Sequence, residues 1–254
     1  MLVCMTLLAE DEPPAFAMER PEGASDFLLV CDHASRRIPA SLGNLGLDET
    51  QLAAHVACDI GAAQVARRMS ALLDAALVLQ NYSRLVVDCN RPPGAPSSIP
   101  TQSEYARITG NENLSIEAVN DRVAAIFTPY HAAIRDLIDE RRDAGRNTVL
   151  VSVHSFTPVY LGKARPWHTG LMFRHDRRLG EALLSLLRRD PGLQVGDNEP
   201  YAISDSTDYT IPFHGESRQI AHVGIEIRQD LIADEPGQEA WATRLSTLLP
   251  QAVI

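Results

Sequence analysis

Phe27-Leu28-Leu29-Val30-Cys31-Asp32-His33 is an apolar run of strand length that ends in a histidine, and Val149-Leu150-Val151-Ser152-Val153-His154 repeats the pattern. Short apolar runs of this kind are typical of strands buried on both faces of a parallel sheet. Helix-like stretches separate such runs along the chain, so the order of elements predicts an α/β fold. In an open α/β sheet the carboxyl ends of the strands form the crevice where ligands bind. The two histidines are therefore predicted to meet at a ligand-binding crevice.

Size and charge restrict the classes of function. The chain has 254 residues, of which 45% are hydrophobic, and this is enough for one sizeable core in a single domain. Its formal net charge is −10 and it contains no long basic block, so nucleic acid is not an expected partner. In so acidic a protein, an anionic substrate would need a local cationic pocket, which makes arginines near the crevice important.

The sequence predicts neither a membrane segment nor a disulfide framework. Residues 1–9 are apolar but lack the basic start of a signal peptide. No apolar run approaches the ~20 residues needed to span a bilayer. The four cysteines, Cys4, Cys31, Cys58 and Cys89, include no C-x-x-C pair, so free thiols are expected. We therefore expect a soluble cytoplasmic protein with no membrane partner.

The pattern of residues predicts an irregular lead-in over residues 1–24 and one domain over residues 25–254. Residues 47–73 are predicted to form two helical pieces that separate near Gly61. The clearest helix covers about 116–144, where apolar side chains recur at three- and four-residue steps. Residues 91–100 and 196–212 are predicted loops, and the second could close over a ligand. The other predicted strands are about 27–32, 76–79, 85–87, 148–153, 169–173 and 221–227, and the other predicted helices are about 177–189 and 236–248.

His33 and His154 are the first candidates for chemistry. Neutral imidazole is the commonest metal ligand, and catalytic zinc sites take three protein ligands and leave one position for water. Asp59 lies at a predicted break just before a helix and is the candidate third ligand. Two alternatives stay open at this point: each histidine could be a core residue bonded to a backbone carbonyl, and Asp59 could be a helix N-cap.

Glu226 is the candidate general base. It lies in the apolar stretch Val223-Gly224-Ile225-Glu226-Ile227, where an acidic side chain is costly to bury unless it is paired or functional. Near a metal-bound water this carboxylate would accept a proton. The alternative is a buried ion pair between Glu226 and a nearby arginine such as Arg228.

Asn90 and Arg91 are candidates for binding a substrate carboxylate. They follow the strand-like residues 85–87 and precede the proline-rich loop. An arginine fork binds a carboxylate in a bidentate geometry that lysine lacks. Arg84 could assist them, or it could form a structural pair with Asp88. Tyr201 lies in the long loop 196–212 and is a further candidate for substrate contact.

Seven motifs, in their order along the chain, resemble the N-formylglutamate amidohydrolase family, and the resemblance extends from about Leu28 to Ile232. It implies a three-layer phosphorylase/hydrolase-like α/β fold with a mixed, mostly parallel sheet, similar to zinc carboxypeptidases and the aspartoacylase group. One departure is Arg36, which stands where the carboxypeptidase-type His-x-x-Glu motif has its glutamate; another is Ile60, where some members have an aromatic residue. The motifs are CDHASRRIP, ACDIG, YSRLVVDCNRPP, VSVHSF, RPWHTGLMF, NEPY and HVGIEIRQDLI.

Position by position, the resemblance implies roles for individual residues. It implies that His33, Asp59 and His154 are metal ligands, that Glu226 is the catalytic glutamate and that Asn90-Arg91 bind a carboxylate. The metal would be Zn²⁺ or another divalent transition metal such as cobalt, manganese or iron. In the reaction it implies, Glu226 activates a metal-bound water, and two further candidates, Arg36 and His214, could help to stabilise the oxyanion.

The expected function is a metal-dependent amidohydrolase that cleaves N-formyl-L-glutamate, or another small anionic N-acyl amino acid, to the free acid and the amine. Two alternatives stay open. One is a deacylase or carboxypeptidase-like hydrolase that takes a larger acyl group. The other is a small-molecule binding protein that keeps the crevice without the metal. A phosphate-binding enzyme is disfavoured, because no Gly-rich loop opens a helix. The sequence does not predict an oligomeric state.

Overall fold

Residues 7–253 are described by the computed structural model, and within them seven strands form one mixed sheet. The order across this sheet is β1-β3-β2-β6-β11-β9-β10. Neighbouring strands are parallel except that β1 runs antiparallel to β3 and β9 antiparallel to β11. In chain order the strands are β1 (Phe16–Glu19), β2 (Phe27–Cys31), β3 (Ala76–Gln80), β4 (Gln102–Ser103), β5 (Ala106–Arg107), β6 (Val149–Phe156), β7 (Val159–Tyr160), β8 (Lys163–Ala164), β9 (Thr169–Met172), β10 (Val195–Asp197) and β11 (Ala221–Arg228).

Helices cover both faces of the sheet. The α-helices of the described residues are α1 (Glu49–Ala53), α2 (Ala62–Leu73), α3 (Ile116–Arg122), α4 (Thr128–Asp143), α5 (Arg178–Leu187) and α6 (Glu235–Ala252). Side chains alternate along each strand, so Leu29 contributes to the core shared with α2, α5 and α6, whereas Leu28 and Val30 contribute to the core shared with α4. The predicted α/β architecture with a mixed, mostly parallel sheet is confirmed.

The break between α1 and α2 lies where the sequence predicts it. Gly61 has a φ of +78° and immediately precedes α2. A Cβ atom at this position would lie 2.2 Å from the carbonyl oxygen of Ile232, so the close approach of that chain also requires glycine. Asp59 therefore precedes the helix by three residues, and its side chain remains available for other contacts.

Three local predictions were wrong, and two others fall outside the described residues. The lead-in over residues 1–24 is not wholly irregular, because β1 pairs with β3 at the sheet edge. Residues 85–87 are not a strand: residues 84–86 form a turn, in which the Val86 amide donates to the Ser83 carbonyl at 2.9 Å, and Val87 is irregular. The predicted loop 196–212 overlaps the end of β10 and the start of a π-helical turn, Ile211–Glu216. The predictions for Cys4 and for the start of the apolar N-terminus lie outside the described residues.

No helix within residues 7–253 is both long enough and apolar enough to cross a membrane.

Candidate metal centre and its cavity

Polar side chains gather at the carboxyl ends of three neighbouring strands of the sheet. His33 follows β2, while His154 and Glu226 lie near the ends of β6 and β11. Glu226 is the register partner of His154 in the parallel pairing of β6 with β11, so the two side chains lie side by side. Gly224, two residues before Glu226, has no room for a larger side chain because Met172 and Ile211 pack closely against it.

His33, Asp59 and His154 offer one ligand atom each within a single cluster. The candidate atoms lie within 4.8 Å of one another, and all three residues are buried. The Nδ1 atoms of His33 and His154 lie 3.3 and 2.9 Å from the same oxygen, Oδ2 of Asp59. Two imidazole nitrogens and a carboxylate oxygen form a donor set typical of a catalytic zinc site.

The opposite nitrogen of each histidine is held by a carboxylate. His33 Nε2 lies 2.7 Å from Oδ1 of Asp88. His154 Nε2 lies 2.8 Å from the Ser152 hydroxyl and 3.3 Å from Oδ2 of Asp32. Carboxylates that bind the far nitrogen of a ligand histidine orient the ring and make it a stronger donor. Both rings are therefore oriented with their Nδ1 atoms toward Asp59.

Within this cluster, the negative carboxylates and the histidine rings stabilise each other's charged forms. Burial opposes the ionised form of Asp59, but the neighbouring His33 and His154 hold the pKa of its carboxyl below the ordinary value. Burial likewise opposes the charged form of His33, yet Asp88 and Asp59 raise the pKa of its ring. Burial also lowers the pKa of His154, but its hydrogen bonds with Asp32 and Asp59 outweigh burial and raise that pKa well above the ordinary value. A divalent cation at the Nδ1 atoms would replace protons that these carboxylates now stabilise.

Glu226 differs from the carboxylates of Asp32, Asp59 and Asp88 because it forms no ion pair with any residue among 7–253. It is 6% exposed, and its Oε2 atom is buried without a hydrogen-bond partner. Burial raises the pKa of its carboxyl to about 7, although the nearby His154 opposes the shift. The alternative of an ion pair with Arg228 is excluded, because Arg228 pairs with Asp230 at 2.8 Å.

The arginines and Asn90 around the centre have different partners. Arg84 donates to Oδ2 of Asp88 from both Nε and Nη2, at 3.1 and 2.7 Å, so the structural pair considered for it is present. Asn90 Oδ1 accepts hydrogen bonds from the backbone amides of Tyr209 and Thr210, both at 3.1 Å. Within the described part of the chain, the Arg91 side chain donates only to backbone carbonyl oxygens, those of Asn90 and Thr207.

A cavity of about 520 Å³ opens over the cluster. Seven predicted site residues line it together with Glu226, whereas Arg36 and His214 do not. Arg36 is exposed, and His214 is buried against His131, with 3.0 Å between His214 Nε2 and His131 Nδ1. The predicted residues brought together are His33, Asp59, Arg84, Asn90, Arg91, His154, Tyr201 and Glu226.

Sequence reasoning missed Asp32, Asp88 and Ser152 as partners of the histidines. Two signals were present: Asp32 directly precedes His33, and Ser152 lies two positions before His154 on the same face of β6. Asp88 was considered only as a partner of Arg84. Its contact with His33 could not be predicted, because it depends on a turn that the apolar pattern of residues 85–87 does not indicate.

Comparisons with known proteins agree with this fold. The sequence model of the N-formylglutamate amidohydrolase family matches residues 25–233. The crystal structure of gene product Atu2144 from Agrobacterium tumefaciens is 41% identical over 97% of this chain and 98% of its own, with a TM-score of 0.94. The crystal structure of N-formylglutamate amidohydrolase from Ralstonia eutropha is 19% identical over 94% of this chain and 97% of its own, with a TM-score of 0.64. At this identity the similarity supports the fold alone. No curated protein matches at a significant level.

Proposed function

The chain belongs to the N-formylglutamate amidohydrolase family, and on that premise we propose that it is a metal-dependent amidohydrolase of N-acyl acidic amino acids, with N-formyl-L-glutamate as the first candidate substrate. One observation carries the proposal. Three buried ligand atoms converge at the carboxyl ends of the strands, beside Glu226, whose buried Oε2 atom has no hydrogen-bond partner among residues 7–253. A perturbed carboxylate next to a cation site in a cleft is the arrangement that hydrolytic chemistry needs.

The residues present fit a divalent transition metal, with zinc as the first candidate. His33, Asp59 and His154 would hold it, and Asp88 and Asp32 bind the opposite nitrogens of the two histidines. When bound, the ion would polarise the acyl carbonyl and acidify a coordinated water. Three protein ligands would leave positions open for water and substrate.

Glu226 would act as the general base and then as the general acid. Its unpaired, buried carboxylate has a pKa raised by burial to about 7, so it can both accept and return a proton near neutral pH. It would take the proton of the attacking water and deliver it to the nitrogen of the leaving amine. Neither Arg36 nor His214 lines the cavity, so the proposal gives them no part in this step.

Arg91 would bind the substrate carboxylate. It lines the cavity, and its guanidinium contacts only backbone carbonyls, so it remains free to form a bidentate pair. Asn90 would act mainly by holding the amides of Tyr209 and Thr210, which fixes the adjoining loop. Anchoring the substrate at one end places its acyl carbon near the metal centre.

The size of the cavity favours a second candidate, a deacylase that takes a larger acyl group. A volume of about 520 Å³ lies within the range of about 300–1,000 Å³ that is typical of pockets for drug-sized ligands. A formyl group would leave part of this space to water.

The test measures the hydrolysis of three substrates, N-formyl-, N-acetyl- and N-benzoyl-L-glutamate, by wild type and Glu226→Gln. We expect the formyl substrate to be preferred and kcat to fall about 10²- to 10⁴-fold in the variant. Glu239→Gln, an exposed residue that pairs with Arg68, is the matched control and should keep wild-type kcat.

Preference for the benzoyl compound would establish the deacylase instead. Hydrolysis that survives Glu226→Gln unchanged would refute the assigned base. No turnover of any of the three compounds by metal-loaded wild type would refute the proposed function.

A further inference from the structure

The cavity offers few free positive charges to an anionic substrate. Five carboxylates line it, whereas its only arginines within the described chain are Arg84 and Arg91. Arg84 is already paired with Asp88 and Asp59. Arg91 can therefore bind one carboxylate, but an N-acyl acidic amino acid carries two. The second carboxylate needs a further cation.

Arg165 lies directly behind an aromatic wall of this cavity. Its guanidinium carbon is 4.6 Å from the ring centre of Tyr160, 4.9 Å from that of Tyr201 and 5.9 Å from that of Phe156. All three rings line the cavity, while Arg165 itself does not. Tyr160 and Tyr201 are 37% and 40% exposed, so they can change rotamer without opening the core.

The positive charge of Arg165 lacks a counter-ion. Among residues 7–253 no carboxylate forms an ion pair with it, and its Nη1 atom is buried without a hydrogen-bond partner. A buried donor left unpaired is costly, so an anion that reached it would be bound favourably. The guanidinium also lies close to the hydroxyl of Tyr201: burial raises the pKa of that hydroxyl, as does the charge of Glu226, while Arg165 lowers it.

We infer that Arg165 is a specificity-determining residue that binds the side-chain carboxylate of an acidic N-acyl amino acid, while Arg91 binds the α-carboxylate. This inference rests on the proposed function and names the residue that would select for the acidic side chain of the substrate. When the rings of Tyr160 and Tyr201 move aside, the substrate carboxylate reaches Nη1 of Arg165. Without a substrate, the same rings hold the cation by cation–π contact.

The test compares two substrates that have nearly the same shape and differ by one charge, N-formyl-L-glutamate and N-formyl-L-glutamine. The kcat/KM of both is measured for wild type, Arg165→Met and Arg165→Lys. We expect Arg165→Met to lower kcat/KM for formylglutamate about 10- to 100-fold, mainly through KM, with little change for formylglutamine. Arg165→Lys keeps the charge and should retain more of the discrimination. Arg177→Met is the control, because Arg177 lies 4.9 Å from the ring centre of Phe173, away from this cavity.

Equal losses for the two substrates in Arg165→Met would overturn the inference and leave a structural cation–π contact. Wild type that prefers formylglutamine would also overturn it, but the amidohydrolase activity would stand. If wild type releases formate from neither compound, N-formyl-L-glutamate is not its substrate, and the proposed function fails for the formyl group. In that case the affinities of wild type and Arg165→Met for L-glutamate and L-glutamine are measured by calorimetry. Tighter binding of glutamate that Arg165→Met abolishes supports the inference, and equal affinities in wild type refute it.

Discussion

Replacing Glu226 by glutamine should stabilise the metal-depleted protein, and by more at high pH than at low pH. The wild-type carboxyl is 6% exposed, and its Oε2 atom has no hydrogen-bond partner. Burial raises its pKa from an ordinary value of 4.5 to about 7. Glutamine has a similar shape but no charge to bury, so the variant avoids the cost of ionising this position.

The sign and size of the effect follow from proton linkage. Between pH 4.5 and about 7 the folded protein keeps the Glu226 proton that the unfolded chain has lost, so wild-type stability falls as pH rises through this window. The whole difference in pKa corresponds to about 3 kcal/mol. We therefore expect the stability gap between Glu226→Gln and wild type to widen by up to about 3 kcal/mol between pH 4.5 and pH 8.

Urea denaturation of both proteins at several pH values measures this gap, with Glu239→Gln as a surface control that should show no comparable widening. A gap that stays constant from pH 4.5 to pH 8 would show that folding does not raise the pKa of Glu226. A gap that narrows with pH would show that the folded protein stabilises the ionised carboxylate, and Glu226 would then have a cationic partner.

Three further predictions follow from the site. Arg91→Lys should raise KM for formylglutamate at least about tenfold with little change in kcat, because lysine cannot form the bidentate pair; an unchanged KM would contradict the carboxylate role. Asp88→Asn should weaken zinc affinity about 10- to 100-fold in chelator competition, because Asp88 holds His33 Nε2, and wild-type affinity would count against that orientation. Gly170→Ala should lower the free energy of unfolding by at least about 1–3 kcal/mol, since its Cβ would meet the Glu199 carbonyl oxygen; wild-type stability would show that residues 199–201 shift freely.

Much of the fold is encoded in local patterns. Buried strands such as β2 and β6 are continuous apolar runs, and the stripe of apolar residues that ends in α4 repeats at helical spacing. The short edge strands β1 and β10 were missed, since pairing with a single neighbour defines them and their own hydrophobic pattern does not. Residues 85–87 gave a wrong strand prediction for the opposite reason: they are buried and apolar, but Leu85 and Val86 lie in a turn and Val87 is irregular.

The candidate site was predictable where residues follow strand ends. His33 and His154 were placed by that rule, and Glu226 by the rarity of an acid in an apolar strand. The contacts of Asp88 with His33 and of Arg165 with Tyr201 join segments far apart in the chain, and no local periodicity marks them. Arg36 and His214 were selected for their residue type and their nearness in sequence to motifs, and the fold directs both away from the cavity.

Metal stoichiometry decides whether His33, Asp59 and His154 form a catalytic metal site. Elemental analysis and zinc titration of wild type, His154→Ala and His214→Ala should be made on the same preparations as formate release from N-formyl-L-glutamate. His214 is a matched control because it is a buried histidine outside the cavity. A catalytic metal site at this cluster predicts about one equivalent of metal and formate release in wild type and in His214→Ala, with both lost in His154→Ala. Wild type that binds no zinc, cobalt, manganese or iron, or His154→Ala that keeps full metal and activity, would contradict it.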